Sequence, residues 1–146
     1  MLNKMIEKFC SMAPMWLAKL IDDEIPEIER YDDMAVLEYS FKYPMDLEAV
    51  MDIFEDDADL NILYHAVSKS DGKAHVCAIC TPVGEYMHKV NVIGDENELV
   101  KGMTVTIYTS LEQMNKGAVA DLELHEKNGF EFEYIMDDGE YTALFN

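Results

Sequence analysis

The sequence predicts an α+β fold: a single domain with a mainly antiparallel sheet and helices packed on one side. Three observations carry this. A chain of 146 residues with 49% apolar side chains is long enough for one substantial core and short for two. Several short segments alternate apolar and polar residues with a period of two, separated by turn residues. Three others repeat their apolar residues at the helical period, and only two of them bridge strands. No repeat, low-complexity tract or linker interrupts residues 1–146, so they are expected to form one unit.

The first element is an amphipathic helix over residues 2–22. Leu2, Met5, Ile6, Phe9, Ala13, Trp16, Leu17 and Leu20 fall on one stripe, with Pro14 kinking or restarting the helix. Packing of this stripe against the domain is expected; the sharper alternative is a partner-facing or membrane-surface helix exposing Met12, Met15 and Trp16. Lys4 and Lys8 precede an apolar run, but Glu7 and Lys19 break it, "IDDE" follows it, and no small-residue cleavage site appears, so neither a signal peptide nor a membrane span is expected.

Residues 21–33 read as an acidic connector broken at Pro26. "AVLEYSFKY" over residues 35–43 alternates as a half-buried strand, and Pro44 is expected to end it. Asp46 can cap a helix to about residue 57 that buries Leu47, Val50, Met51 and Phe54. Strands are expected over residues 59–68, 73–81 and 86–93, joined by "KSDG" and "PVGE" turns. A polar connection follows, then a strand over residues 103–109. Ser110 and Gln113 open a helix to about residue 127, closed by Asn128 and Gly129. A final hairpin around an Asp-Gly turn gathers Phe130, Phe132, Tyr134, Tyr141 and Phe145 on one face.

Charge is the unusual feature. Thirty Asp and Glu face eleven Lys and Arg, for a formal charge of −19. Residues 1–20 are themselves net +2, so the remainder carries −21. Direct contact with nucleic acid or an anionic membrane is excluded for most of the surface, because the electrostatic drive has the wrong sign. A basic protein, such as one that binds nucleic acid, is the natural complement. Cys10, Cys77 and Cys80 are an odd number without scaffold spacing, which fits a reducing cytoplasm.

Each chemical motif is weak beside its structural alternative. "CAIC" could hold zinc with two of Cys10, His65, His75 and His88, but Cys77 and Cys80 on a strand point to opposite faces and no second CxxC or HxxxH supports the site. His75 and Cys77 share a face and could be base and nucleophile, yet no oxyanion loop or third orienting residue is legible. Asp57, Asp59 and Asn61 fall at the first three ligand positions of a calcium loop, but Ile62 stands where glycine must turn the chain and Ser68 where a bidentate glutamate belongs. "DDGE" and "GDENE" could hold a divalent ion only loosely. No glycine-rich phosphate loop occurs. No metal or cofactor is therefore expected.

What remains is "DIFEDDADLN", residues 52–61. On the helix of residues 46–57, Glu48, Asp52 and Glu55 lie at i, i+4 and i+7 with Asp56 beside them, and no lysine is interleaved. Like charges at i, i+4 cost ~0.2–0.5 kcal/mol per pair, and acids at a helix C-terminus oppose its dipole, so the segment carries a penalty on the order of 1–2 kcal/mol. Folding does not require it. The sequence thus points to a non-enzymatic, DNA-mimic-like inhibitor that occupies a basic, nucleic-acid-binding surface of a partner, with Glu48, Asp52, Glu55, Asp56, Asp57 and Asp59 as its partner-binding residues. By composition alone it is similar to the decoys used in anti-defence and immunity systems. Two alternatives stand beside this: an acidic chaperone or adaptor that uses the Met-rich N-terminal helix as an apolar groove or homodimer interface, and a small enzyme that uses His75/Cys77 or carboxylates. A charge that serves only solubility is the bland reading.

Overall fold

The computed structural model describes residues 2–12, 17, 20, 26–32, 34–57, 61–83 and 86–136. Its elements are α1 (Leu2–Met12), β1 (Glu27–Arg30), β2 (Met34–Asp46), α2 (Leu47–Asp57), β3 (Asn61–Ser68), β4 (His75–Val83), β5 (Tyr86–Gly94), β6 (Leu99–Tyr108), α3 (Leu111–Lys127) and β7 (Phe130–Ile135). The seven described strands lie in one sheet in the order β1-β2-β6-β5-β4-β3-β7, every pair antiparallel. This is the α+β class that the alternation pattern predicts. No helix among the described residues is long and apolar enough to cross a membrane.

Both faces of the sheet are covered, which corrects the expectation of helices on one side. On β4, Cys77 and Ile79 join a core that holds Met5, Ile6 and Phe9 of α1, Leu17, Leu20, and Val50 and Phe54 of α2. The alternate residues Val76, Ala78 and Cys80 join a second core with Tyr64, Tyr108 and Met114 of α3. A strand period of two sends neighbours to opposite faces, so this run of small and apolar residues requires cover on each. Phe9 and Phe54 are fully buried, each worth about 1.5–3 kcal/mol of removal from water. The described part of the N-terminal stripe is thus core and not a groove; Ala13, Pro14, Met15 and Trp16 lie outside the described residues.

Four further corrections concern edges and irregularities. Residues 27–30 form a strand within the expected connector. It pairs with Ala35–Glu38 as an outer strand with only Ile28 half-buried, a place that tolerates its acids. Pro44 does not end β2, because the register breaks between Ser40 and Met45 and pairing resumes at Met45 with Val100, leaving no ladder donor required of the proline. For the same reason β6 starts at Leu99 rather than residue 103. The first strand of the last hairpin is β7, but its faces switch: His65 pairs Tyr134 while Ala66 pairs Phe132, so Glu133 is an extra residue. That bulge keeps Phe130 and Phe132 on the α3 core and turns Tyr134 away from it. Tyr141 and Phe145 lie outside the described residues.

The α3 helix starts as predicted, with the Ser110 side chain accepting from the Gln113 N–H at 3.2 Å, and ends at Asn128 and Gly129, whose φ of +86° suits glycine. A polar cluster fixes it to the sheet. Asp121 Oδ2 accepts from Lys89 Nζ, from Tyr64 OH at 3.2 Å and from Asn91 Nδ2 at 3.1 Å, while Tyr64 OH also meets His125 Nε2 at 3.0 Å. Lys89 is only 3% exposed, so removing its partner strands a buried cation. Asp121→Ala is expected to cost about 3 kcal/mol or more in urea unfolding, and Lys89→Met with Asp121→Leu to recover most of the loss. A single-variant cost below about 1 kcal/mol would show that α3 is held by apolar contacts alone.

Candidate functional site: an acidic cleft with a histidine pair

The acidic strip and the histidine strand, separate candidates in the sequence, meet in one place. α2 begins where the Leu47 N–H donates to the Glu98 carbonyl at 2.9 Å, which seats the helix on the turn between β5 and β6. Its apolar side sinks onto the sheet through Val50 and Phe54. The gap left between the helix and strands β3 and β4 is a cleft of about 460 Å³. Leu47, Met51 and Ile62 supply its apolar lining, Glu48, Asp52 and Glu55 one rim, and His65, His75, Cys77, Glu98 and Tyr134 the rest.

Of the residues assigned to partner binding, Glu48, Asp52 and Glu55 line the cleft, while Asp56 is exposed on α2 outside it. Asp57 closes the helix and Asp59 lies outside the described residues. None of Glu48, Asp52, Glu55 and Asp56 is in an ion pair with a described basic residue, and the last turn of α2 contains no base. The other acids divide by role. Asp71 and Asp95 are turn residues: backbone N–H groups of Lys73 and Ala74, and of Leu99 and Asn97, hold their carboxyls below the usual range. The "GDENE" segment is thus a hydrogen-bonded turn that aims Glu98, and among the described residues no three His, Cys, Asp or Glu side chains are grouped to hold a metal.

His65 and His75 form the centre of the site. In the β3–β4 hairpin His75 pairs Val67 and His65 pairs Cys77, so the two histidines are diagonal neighbours on one face. His65 Nε2 and His75 Nδ1 are 3.0 Å apart, with ring planes 4° from parallel and centroids 5.2 Å apart. That separation is the nitrogen gap plus a ring radius at each end, so the rings meet edge to edge and share one proton. The N–H of one ring aims at the lone pair of the other, so these two nitrogens do not turn to a common metal. Glu133 Oε2 stands 3.2 Å from His65 Nδ1, and Glu98 Oε1 stands 3.6 Å from His75 Nε2. The β7 bulge delivers Glu133, and the turn delivers Glu98 with φ of 60°, the one positive φ among described residues other than glycine.

The expected opposite facing of Cys77 and Cys80 holds, since the two lie in different cores. Burial pushes the Cys77 thiol up to about 11 and the Cys80 thiol up to about 12, so neither is a thiolate at neutral pH. His75 shares a face with Cys77, as the sequence predicts, but its ring contacts are His65 and Glu98. His88 points to the same face of the sheet and packs edge-on against Phe9. Sequence reading missed the pairing of His65 with His75; the available signal was the hairpin register across the "KSDG" turn. It also missed Glu98 and Glu133, which only a turn and a bulge bring to the cleft.

No protein-family model, no curated protein and no solved structure matches this chain. The site therefore rests on its own geometry.

Burial holds the His65 imidazole below its ordinary range against the pull of Glu133, with His75 adding to the lowering; burial does the same to His125 despite Asp121. For both groups the folded state prefers the neutral ring. The unfolded chain binds more protons as pH falls through the ordinary histidine value of about 6.5, so their contribution to stability is complete above that value and is lost on acidification through the folded values. Acid also relieves the self-repulsion of a chain at −19, so the difference between proteins is decisive. Urea midpoints from pH 7.5 to 5 should fall more steeply for the native chain than for His65→Gln/His125→Gln. Parallel curves would contradict the assignment.

Proposed function

We propose that this protein is a non-enzymatic acidic binding protein, and that the cleft side of α2 occupies a basic, nucleic-acid-binding surface of a partner protein. One observation carries the reading. Glu48, Asp52 and Glu55 stand in a row without described counter-ions, beside Glu98 at the same cleft, whose His65 is paired with Glu133. Carboxylates four residues apart are separated by ~6 Å along a helix axis. A surface built to grip phosphates spaced ~3.4 Å along each strand meets such a row with lysines and arginines already in place. The like-charge penalty within α2 is then relieved on binding, and the wider negative field speeds encounter.

The histidine pair favours a second reading, acid–base chemistry in the cleft. A hydrogen-bonded imidazole pair flanked by two carboxylates can take up and release a proton. The buried thiol of Cys77 supplies no nucleophile to go with it, so binding remains the better account.

The test is capture of partners from the native host across salt concentration. A basic protein recovered at low salt should be lost from Glu48→Lys/Asp52→Lys by at least about tenfold, and lost from the native chain as salt shortens the screening length from ~10 Å at 0.1 M to ~3 Å at 1 M. Capture that survives both changes would rule the reading out.

A further inference from the structure

The α3 helix has two faces of different character. Met114, Ala118, Asp121, Leu122 and His125 turn towards the sheet and are buried or half-buried. At 3.6 residues per turn, Glu112, Lys116, Val119, Ala120, Glu123 and Lys127 fall on one stripe opposite that side, and all six are exposed. Val119 is 54% exposed, and Leu124 at the edge of the stripe is 53% exposed. Asn115, Lys116, Val119, Ala120 and Glu123 line a shallow hollow of about 340 Å³ on this surface.

The charges of the stripe are balanced and ordered. The outer side of α2 presents Glu48, Asp52, Glu55 and Asp56 with no base among them, so two copies of that surface repel. The α3 stripe carries two acids and two bases and is neutral, in a chain whose formal charge is −19. From its N-terminus it runs acid, base, apolar pair, acid, base. A second α3 laid antiparallel, with the centre of contact between Val119 and Ala120, sets Lys116 of each copy opposite Glu123 of the other, and Glu112 opposite Lys127. Val119 and Ala120 then meet their equivalents. A parallel pair in register would set like charge against like. One two-fold operation therefore satisfies the whole stripe, and the small side chains at its centre let the helix axes approach to the usual ~8–10 Å. Within its own helix Lys116 Nζ stands 3.6 Å from Glu112 Oε1, an exposed i, i+4 pair that contributes little and leaves the ammonium hydrogens for a second carboxylate.

We propose that the outer face of α3 is a homodimer interface, across which a second copy of this chain packs its own α3 antiparallel, with Val119 and Ala120 at the centre and symmetric Lys116–Glu123 and Glu112–Lys127 pairs on either side. α3 and α2 cover opposite faces of the sheet, so the dimer carries two acidic clefts and both face outwards. The interface does not depend on what the cleft binds. The 17 residues of α3 span about 25 Å, and one such helix from each copy gives a contact at the low end for specific association. The dissociation constant is accordingly expected on the order of 10–100 μM.

The experiment is sedimentation equilibrium of the whole protein, from tenfold below to tenfold above that range, in about 0.15 M salt to screen long-range repulsion. The native chain should pass from monomer to dimer. Lys116→Glu and Glu123→Lys should each weaken the dimer by at least about tenfold. Glu123→Lys lowers the net negative charge, so an association limited by repulsion alone would instead become tighter. Lys116→Glu/Glu123→Lys exchanges the charges between copies and should return the constant to within about threefold of the native value. Inside one helix that exchange places like charges at i, i+4 on both sides of Val119, so recovery reports pairing between copies and not helix stability. Val119→Asp should abolish the dimer, and Lys69→Glu, an exposed change of the same sign on the β3–β4 turn, should leave the constant within about threefold. Circular dichroism and thermal unfolding establish that each variant is folded, and the charge exchange decides the matter where Val119→Asp fails that check. A monomer at every concentration overturns the proposal. So does a dimer that tolerates Val119→Asp, or one that the single charge changes weaken and the double change does not restore.

Discussion

The constraint on which the rest of this structure depends is the double burial of its central strands. On β4, side chains of both parities are apolar or small, and both faces must be covered for the sheet to be stable in water. α1 and α2 cover one face and α3 the other. The cover is uneven. Among the described residues, α2 spans 11 residues, and the gap between its acidic side and strands β3 and β4 is the cleft.

The two faces handle buried polar groups in opposite ways. Under α3, Lys89, Asp121, Tyr64, Asn91 and His125 satisfy one another, and one cation faces one carboxylate. That arrangement fixes a helix and leaves little for a ligand to gain. At the cleft, carboxylates outnumber cations, and each end of the histidine pair faces a carboxylate. Similar residue types on the two faces differ in how their charges balance: the cluster under α3 is neutralised internally, and the cleft keeps an excess of carboxylates.

Much of this was legible in the sequence. The period-two alternation of "AVLEYSFKY" through Phe41, the Ser110 cap and the opposite facing of Cys77 and Cys80 follow from local geometry, and the structure has them, while Tyr43, past the register break, is 72% exposed. The i, i+4, i+7 spacing of Glu48, Asp52 and Glu55 places them on one side of α2 whatever the helix packs against. What was not legible depends on irregularity. The continuation of β2 past Pro44 needs a register break, the turning of Tyr134 into the cleft needs an extra residue at Glu133, and the second helical layer needs knowledge of which strand lies at the centre. The first two leave no mark in composition or period; the third leaves one, the unbroken run of small and apolar residues on β4, which calls for cover on both faces. The meeting of His65 and His75 was derivable from the hairpin, but their terminal carboxylates come from a turn and a distant strand.

The central claim is that the cleft beside α2 is where positive charge is received. It is tested most directly by mapping backbone and histidine side-chain NMR shifts of the 15N-labelled protein as a lysine-rich peptide is added at neutral pH. The account predicts saturable changes concentrated at residues 47–56, His65, His75 and Glu98, with the side chains of Lys89 and His125 under α3 undisturbed. Changes spread evenly over every acidic segment, or centred on the α3 face, would contradict it.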